Sequence, residues 1–201
     1  MSWIKVISYE NAGYQLKKLY DRIKGPNNNI DNILLIHSLR PHSLVGHMTL
    51  YKNVLHNSNN TLPKWYLEAL GVYVSYLNKC DYCFEHHYEG FKRLYNNDVE
   101  SQKFKEAVNN DNLANIFEDR FIAGCEYAKE LTLNHSNITQ ENINLLREKG
   151  FTDGEILEIN QVVSYFNYVN RTVVGLGVNT KGDIIGLSPN NSDDPTNWNH
   201  D

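Results

Sequence analysis

Apolar residues recur along this chain at helical spacing, and no two alternating runs are joined by a turn dipeptide, which confines the backbone to helices. Tyr9 to Ile23 carries Leu16, Leu19, Tyr20 and Ile23, and stops at Gly25-Pro26. Ile30 to Leu39 is closed by Pro41, which disfavours helical geometry in the residue before it. Ser43 to Leu55 restarts a helix, and Thr61 is placed to cap another that carries Pro63 in its first turn and runs toward Tyr76. Asn78 is placed to cap Lys79–Tyr95, followed by Val99–Val108. Asn112 to Leu133 is long and amphipathic, with Leu113, Ile116, Phe117, Phe121, Cys125 and Ala128 on one stripe. Thr139–Lys149 ends at Gly150, and Thr152-Asp153-Gly154-Glu155 is a capping box opening a helix to about Val174. The pattern predicts an all-α single domain over residues 1–187, built of about seven to eight helices. Residues 188–201 form a polar tail expected to be mobile, in which Trp198 is free to dock.

At 201 residues the chain is long enough for one sizeable core, and 41% hydrophobic against 21% charged residues describes a folded protein. A net charge of -5 excludes the basic field of a dedicated nucleic-acid binder, so no nucleic-acid partner is expected. No apolar run approaches the ~18 residues of a bilayer span, so no membrane partner is expected either. Met1-Ser2-Trp3-Ile4-Lys5-Val6 lacks the pattern of a secretory signal, and a cytoplasmic location is expected. Cys80, Cys83 and Cys125 are too few, and odd in number, for a secreted disulfide scaffold.

The chemistry concentrates between Glu68 and His87. On a helix Cys80, Cys83 and His87 fall on one face, because they are three and four residues apart. A helix start at Asn78 puts both sulfurs in the first turns, where the positive end of the helix dipole favours a thiolate. An ordinary thiol is only about 3% ionised at pH 7, and about 2 kcal/mol of differential stabilisation makes it half ionised. Three randomly placed cysteines give a Cys-x-x-Cys about 3% of the time, and a histidine at the right offset is about twenty-five-fold rarer still. A carboxylate at Glu68 can orient His87 or relay a proton if the chain bends near Asn78. Two other readings stand beside this one. The cysteines are two small buried hydrophobes with a surface histidine, or they bind zinc with His42 and His47 as further ligands. Cys125 lies on an apolar stripe and reads as core. His37, His42 and His47 have no carboxylate or cysteine at close spacing, and Arg40 and Arg171 read as structural.

Glu68, eleven intervening residues, Cys80-Asp81-Tyr82-Cys83 and then His87 resemble the active-site pattern of the alkylhydroperoxidase D (AhpD-like) family of the carboxymuconolactone decarboxylase superfamily. The likeness is greatest to its peroxidase-related branch, with His37-Ser38-Leu39-Arg40-Pro41 and Tyr165-Phe166-Asn167-Tyr168-Val169-Asn170-Arg171 as flanking segments. The resemblance implies an all-helical homo-oligomer with thiol peroxidase or disulfide-reductase chemistry and no flavin, haem or metal cofactor, reducing a hydroperoxide and recharged by a lipoyl-type or thioredoxin-like dithiol. It implies that Cys83 is the peroxidatic cysteine, Cys80 its resolving partner, and Glu68 and His87 a proton relay. Characterised members carry a histidine where this chain has Tyr82, which shortens the relay, and His86 reads as a solvated neighbour. A decarboxylase-like enzyme of the same superfamily, or a redox-sensing oligomeric module without catalysis, are the alternatives. The dipole favours Cys80 as the lower-pKa thiol, whereas the His87 offset favours Cys83. Both hold in a cycle in which Cys83 attacks the peroxide and the more exposed Cys80 is later attacked by the reductant. The homo-oligomer is also expected from apolar runs such as Ile33-Leu34-Leu35-Ile36, which a lone subunit would leave partly exposed.

Overall fold

Tyr66–Ser75, an unbroken buried stretch, lies within one helix, and the other helices pack around it. A helix that is apolar all round belongs at the centre of a bundle. Leu67, Leu70, Val72 and Val74 are fully buried, and each such side chain contributes about 1.5–3 kcal/mol. The computed structural model describes residues 2–187, 194 and 197–200. Among them are nine α-helices and no β-strand, as the all-α expectation required. They are α1 Tyr14–Tyr20, α2 Asn32–Leu35, α3 Pro41–Leu55, α4 Lys64–Leu77, α5 Asp81–Tyr95, α6 Asp98–Asn109, α7 Asp119–Leu133, α8 Gln140–Glu148 and α9 Asp153–Gly175. Helix α4 is the central one and packs most extensively on α5, then on α9 and α7. Gly71 is what lets α9 approach: a Cβ there would lie 2.2 Å from the Phe166 ring.

Several boundaries differ from the sequence expectation for local reasons. The stripe beginning at Asn112 is helical only from Asp119, because Asp111 and Asn115 take positive φ and break the path. Phe117 thus reaches Trp65 and Phe104 from a connecting segment. Thr61 does not cap α4; Pro63 holds that position, and the Thr61 backbone N–H donates to the Glu158 carboxylate. Asn78 is the C-cap of α4 and not the N-cap of α5, whose N-cap is Cys80. The Thr152 box is present as expected, with Thr152 Oγ1 accepting from the Glu155 N–H at 3.2 Å, and Gly150 has φ of 86°. Leu34 and Ile36 are buried within this same chain, so that run does not argue for a partner subunit. The expected mobile tail falls partly on residues 188–193, 195–196 and 201, outside the described residues. The described part docks: Trp198 is buried with the Arg22 guanidinium 3.8 Å over its ring, and Lys52 donates to the carbonyls of Asp194 and Asn197.

Candidate active site

The α4–α5 turn places both cysteines. Lys79 adopts φ of 56°, its N–H donates to the Tyr76 carbonyl, and the Cys80 N–H donates to the Ser75 carbonyl. This crossed pair of bonds closes α4 in a Schellman motif. Cys80 then opens α5, its carbonyl accepting from the Phe84 N–H at 2.9 Å. One residue thus ends one helix and begins the next, and Cys83 follows in the first turn. The Asn78 amide locks this turn to α9 by donating to Asn167 and Asn170. The reversal lays α5 antiparallel on α4 and brings Glu68 to His87 across nineteen residues of sequence, with Oε2 2.7 Å from Nδ1. Gly90 makes room, since a Cβ there would press to 3.3 Å on the Glu68 carboxyl.

Cys83, Glu68 and His87 line one cavity of about 50 Å³, enough for a few waters or the reactive end of a small molecule. With Nδ1 engaged by Glu68, the other ring nitrogen of His87 is the one left to exchange a proton. Tyr51 and Tyr165 also line it, stacked with centroids 5.7 Å apart, and the Tyr51 ring lies 6.2 Å from that of His87. Burial pushes the Glu68 carboxyl up, but the charge and hydrogen bond of His87, with His56 and Arg93, outweigh it and hold it below the usual range. His56 Nε2 stands 3.8 Å from Glu68 Oε1, and burial drives that imidazole down to about 4. His47, also on the cavity wall, is pushed by burial down to about 3.

The two sulfurs open to different spaces. Cys80 borders a separate groove of about 240 Å³ between the start of α5 and the segment Val173–Thr180. All three cysteines are free thiols and buried. Cys80 is 1% exposed and Cys83 3%, so Cys80 is not the more exposed sulfur. The Cys83 thiol beside it pulls the Cys80 thiol below its ordinary value against the upward push of burial, and Asn170 adds to the lowering. Burial, then the neighbouring Cys80, push Cys83 well up. Cys80 is thus the lower of the two thiols, but the first cause is its hydrogen bond with Cys83 and not the helix dipole that the sequence suggested.

Other expectations change. His86 is not solvated: its side chain is 9% exposed, its ring lies 4.6 Å from that of Tyr82, and it lines the cavity. Tyr82 donates its hydroxyl to Asp183 at 2.7 Å. His42 is exposed, while His47 is buried and lines the cavity that Cys83 also lines; among the described residues no group of three His, Cys, Asp or Glu can hold a metal ion. Cys125 is core, 1% exposed, and burial raises its thiol to about 12. The sequence reading missed Tyr51, His56, Asp31, Asp183 and Asn170. Asn170 had a signal, lying in the flanking segment after the motif, and His47 and Tyr51 share a helical face four residues apart. Asp183 had none, since it meets Tyr82 across 101 residues of chain.

No protein-family model matches the sequence, and no curated protein matches it significantly. Solved structures do. An uncharacterized peroxidase-related protein from a Silicibacter species shares 23% identity, covering 78% of this chain and 80% of that one with a TM-score of 0.69. An uncharacterized peroxidase-related protein from Ralstonia eutropha, described as an alkylhydroperoxidase AhpD core, shares 20% over 89% and 91%, with a TM-score of 0.74. The debrominase Bmp8, as a cysteine-to-alanine variant in complex with 2,3,4-tribromopyrrole, shares 14% over 89% and 93%, with a TM-score of 0.68. The chain thus has the all-helical fold of AhpD-like, peroxidase-related proteins.

Proposed function

We propose that this protein is a thiol-dependent peroxidase of the alkylhydroperoxidase type, working in a reducing cytoplasm through Cys83 and Cys80. The observation that supports it best is the shared cavity of Cys83 and the Glu68–His87 pair, with Cys80 on a separate outer groove. His87, held by Glu68, takes the Cys83 proton as a hydroperoxide enters. The thiolate attacks the terminal peroxide oxygen, the O–O bond breaks, and sulfur is oxidised to a sulfenic acid while the alcohol leaves. Cys80, already inclined to ionise, attacks that sulfur, and water leaves as the disulfide forms. An external dithiol, of lipoyl or thioredoxin-like type, reaches the Cys80 sulfur through the outer groove and restores both thiols. The cycle needs no metal or organic cofactor. As part of the same proposal the chain assembles as a homo-oligomer, which light scattering would contradict with a mass near 23.3 kDa.

The test is turnover of an organic hydroperoxide by the purified protein with dihydrolipoamide as donor. Cys83→Ser should abolish it. Cys80→Ser should still consume one equivalent of peroxide and stop at the sulfenic acid. Absence of Cys83-dependent turnover across several peroxides and dithiols removes the proposal.

A further inference from the structure

A second group of acid–base side chains, His86 and Asp31, lines the same cavity as Glu68 and His87. His86 lies one turn beyond Cys83 on α5, at the i+3 offset, as His87 lies at i+4. Its Nε2 is buried and has no hydrogen-bond partner, standing 3.5 Å from Asp183 Oδ2. Asp183 is fixed from two directions, by the Tyr82 hydroxyl at 2.7 Å and by the Asn32 backbone N–H at 3.1 Å. Asp31, from the segment before α2, is 6% exposed and lines the cavity beside His86. Burial lifts the Asp31 carboxyl to about 6, with the charge on His86 opposing that rise and Asp183 adding to it. Among the described residues the carboxyls of Asp31 and Asp183 and the phenol of Tyr82 lie against His86, and Glu68, Cys83, His47, Tyr51, Tyr165 and His200 line the same cavity. A ring nitrogen buried without a hydrogen-bond partner costs stability unless something in the cavity uses it.

We propose that His86, positioned by Asp183 and Asp31, is the proton donor to the oxygen that leaves when Cys83 attacks a hydroperoxide. This rests on the peroxidase reading and divides its proton traffic between two histidines. Glu68–His87 takes the proton from the Cys83 thiol. As the O–O bond breaks, its electron pair goes to the departing alkoxide oxygen, which takes the proton from His86 and leaves as the alcohol. His87 then returns its proton to His86 through cavity water, so no proton is gained or lost over the step. The division matters because an alkoxide is a poor leaving group without a proton, while Cys83 needs a base at the same moment. One histidine cannot hold both states at once, and the cavity that Cys83 lines offers two, each with a carboxylate beside it.

The test uses the leaving group itself. The single-turnover rate of Cys83 oxidation in the full-length protein is measured with cumene hydroperoxide, whose leaving alkoxide requires a proton. It is then measured with peracetic acid, whose leaving carboxylate does not. His86→Gln should slow the hydroperoxide reaction about 100-fold and the peracid reaction less than about threefold. Should His86→Gln fail to fold, Asp31→Asn and Asp183→Asn leave the ring in place and should move the ratio of the two rates in the same direction. Equal slowing of both oxidants, or of neither, overturns the role of His86 while leaving the peroxidase reading intact. Wild-type protein whose Cys83 is oxidised by neither reagent overturns both.

Discussion

Cys80 and Cys125 are buried to the same degree, 1% exposed each, yet their thiols are shifted in opposite directions. Cys125 lies within α7, where the Tyr66 hydroxyl only partly offsets burial and the thiol rises to about 12. Cys80 lies at a helix start, with the Cys83 thiol and the Asn170 amide beside it, and its thiol falls below the ordinary value. Burial alone makes a sulfur inert; burial among groups that stabilise its anion makes it ready. The same contrast separates the carboxylate and imidazoles at the site. Glu68 is kept ionised by His87, whereas His47 and His56 have no hydrogen-bond partner on Nδ1 and Nε2 respectively and are held neutral.

The largest expected effect is on stability in acid. The unfolded chain protonates His47 and His56 below about pH 6.5, whereas the folded chain resists until about 3 and 4. Unfolding therefore takes up protons, and each histidine costs about 1.4 kcal/mol per pH unit of descent through that window. Asp31 acts the other way: its folded value is about 6, so the folded state takes the proton first and gains stability as pH falls from 6 to about 4. Two histidines outweigh one carboxyl, and roughly a few kcal/mol should be lost between pH 6.5 and 4. Glu68, depressed in the folded state, adds a further loss as pH falls through its folded value. Denaturant melts across this range check it, and a flat midpoint from pH 6.5 to 4 would contradict the neutral burial of these rings.

Next in size is Glu68→Gln, which removes the anion that orients His87. Hydroperoxide turnover should fall about 10–100-fold, with the thermal midpoint measured alongside to separate chemistry from folding. Cys83→Ala sharpens the comparison between the sulfurs directly. It removes the largest influence lowering Cys80, so the alkylation of Cys80 near neutral pH should slow. The smallest effect belongs to Cys125→Ala. It should cost about 1 kcal/mol through a small void and leave the labelling of Cys80 unchanged. A changed Cys80 rate in that variant would mean that α7 and the turn are coupled in a way the packing does not explain.

The fold was largely legible because helices carry their own signals, such as the Thr152 box and Gly150 after α8, although Pro41, read as closing the stretch before it, in fact opens α3. It failed where backbone geometry overrode periodicity. Asn112–Glu118 keeps helical spacing, but Asp111 and Asn115 turn left-handed and the apolar residues pack from a loop. Asn78 looks like an N-cap, and only the Schellman closure shows that Cys80 has that place. At the site, the residues carried on one helix were readable, and Glu68 was reachable through the bend. Asp31, His56 and Asp183 were not, because the contacts that bring them there join distant segments and leave no local spacing.

The most direct test is the rate of iodoacetamide labelling against pH in the native protein, with mass spectrometry assigning each modified cysteine. Cys80 should label first, with a midpoint below the ordinary thiol value. Cys125 should stay at least about a thousandfold slower near pH 7.5 and react only on denaturation. If Cys125 labels with or before Cys80, or if the midpoint of Cys80 lies at or above that of a free thiol, the account of the α4–α5 turn as the site that readies a sulfur is wrong.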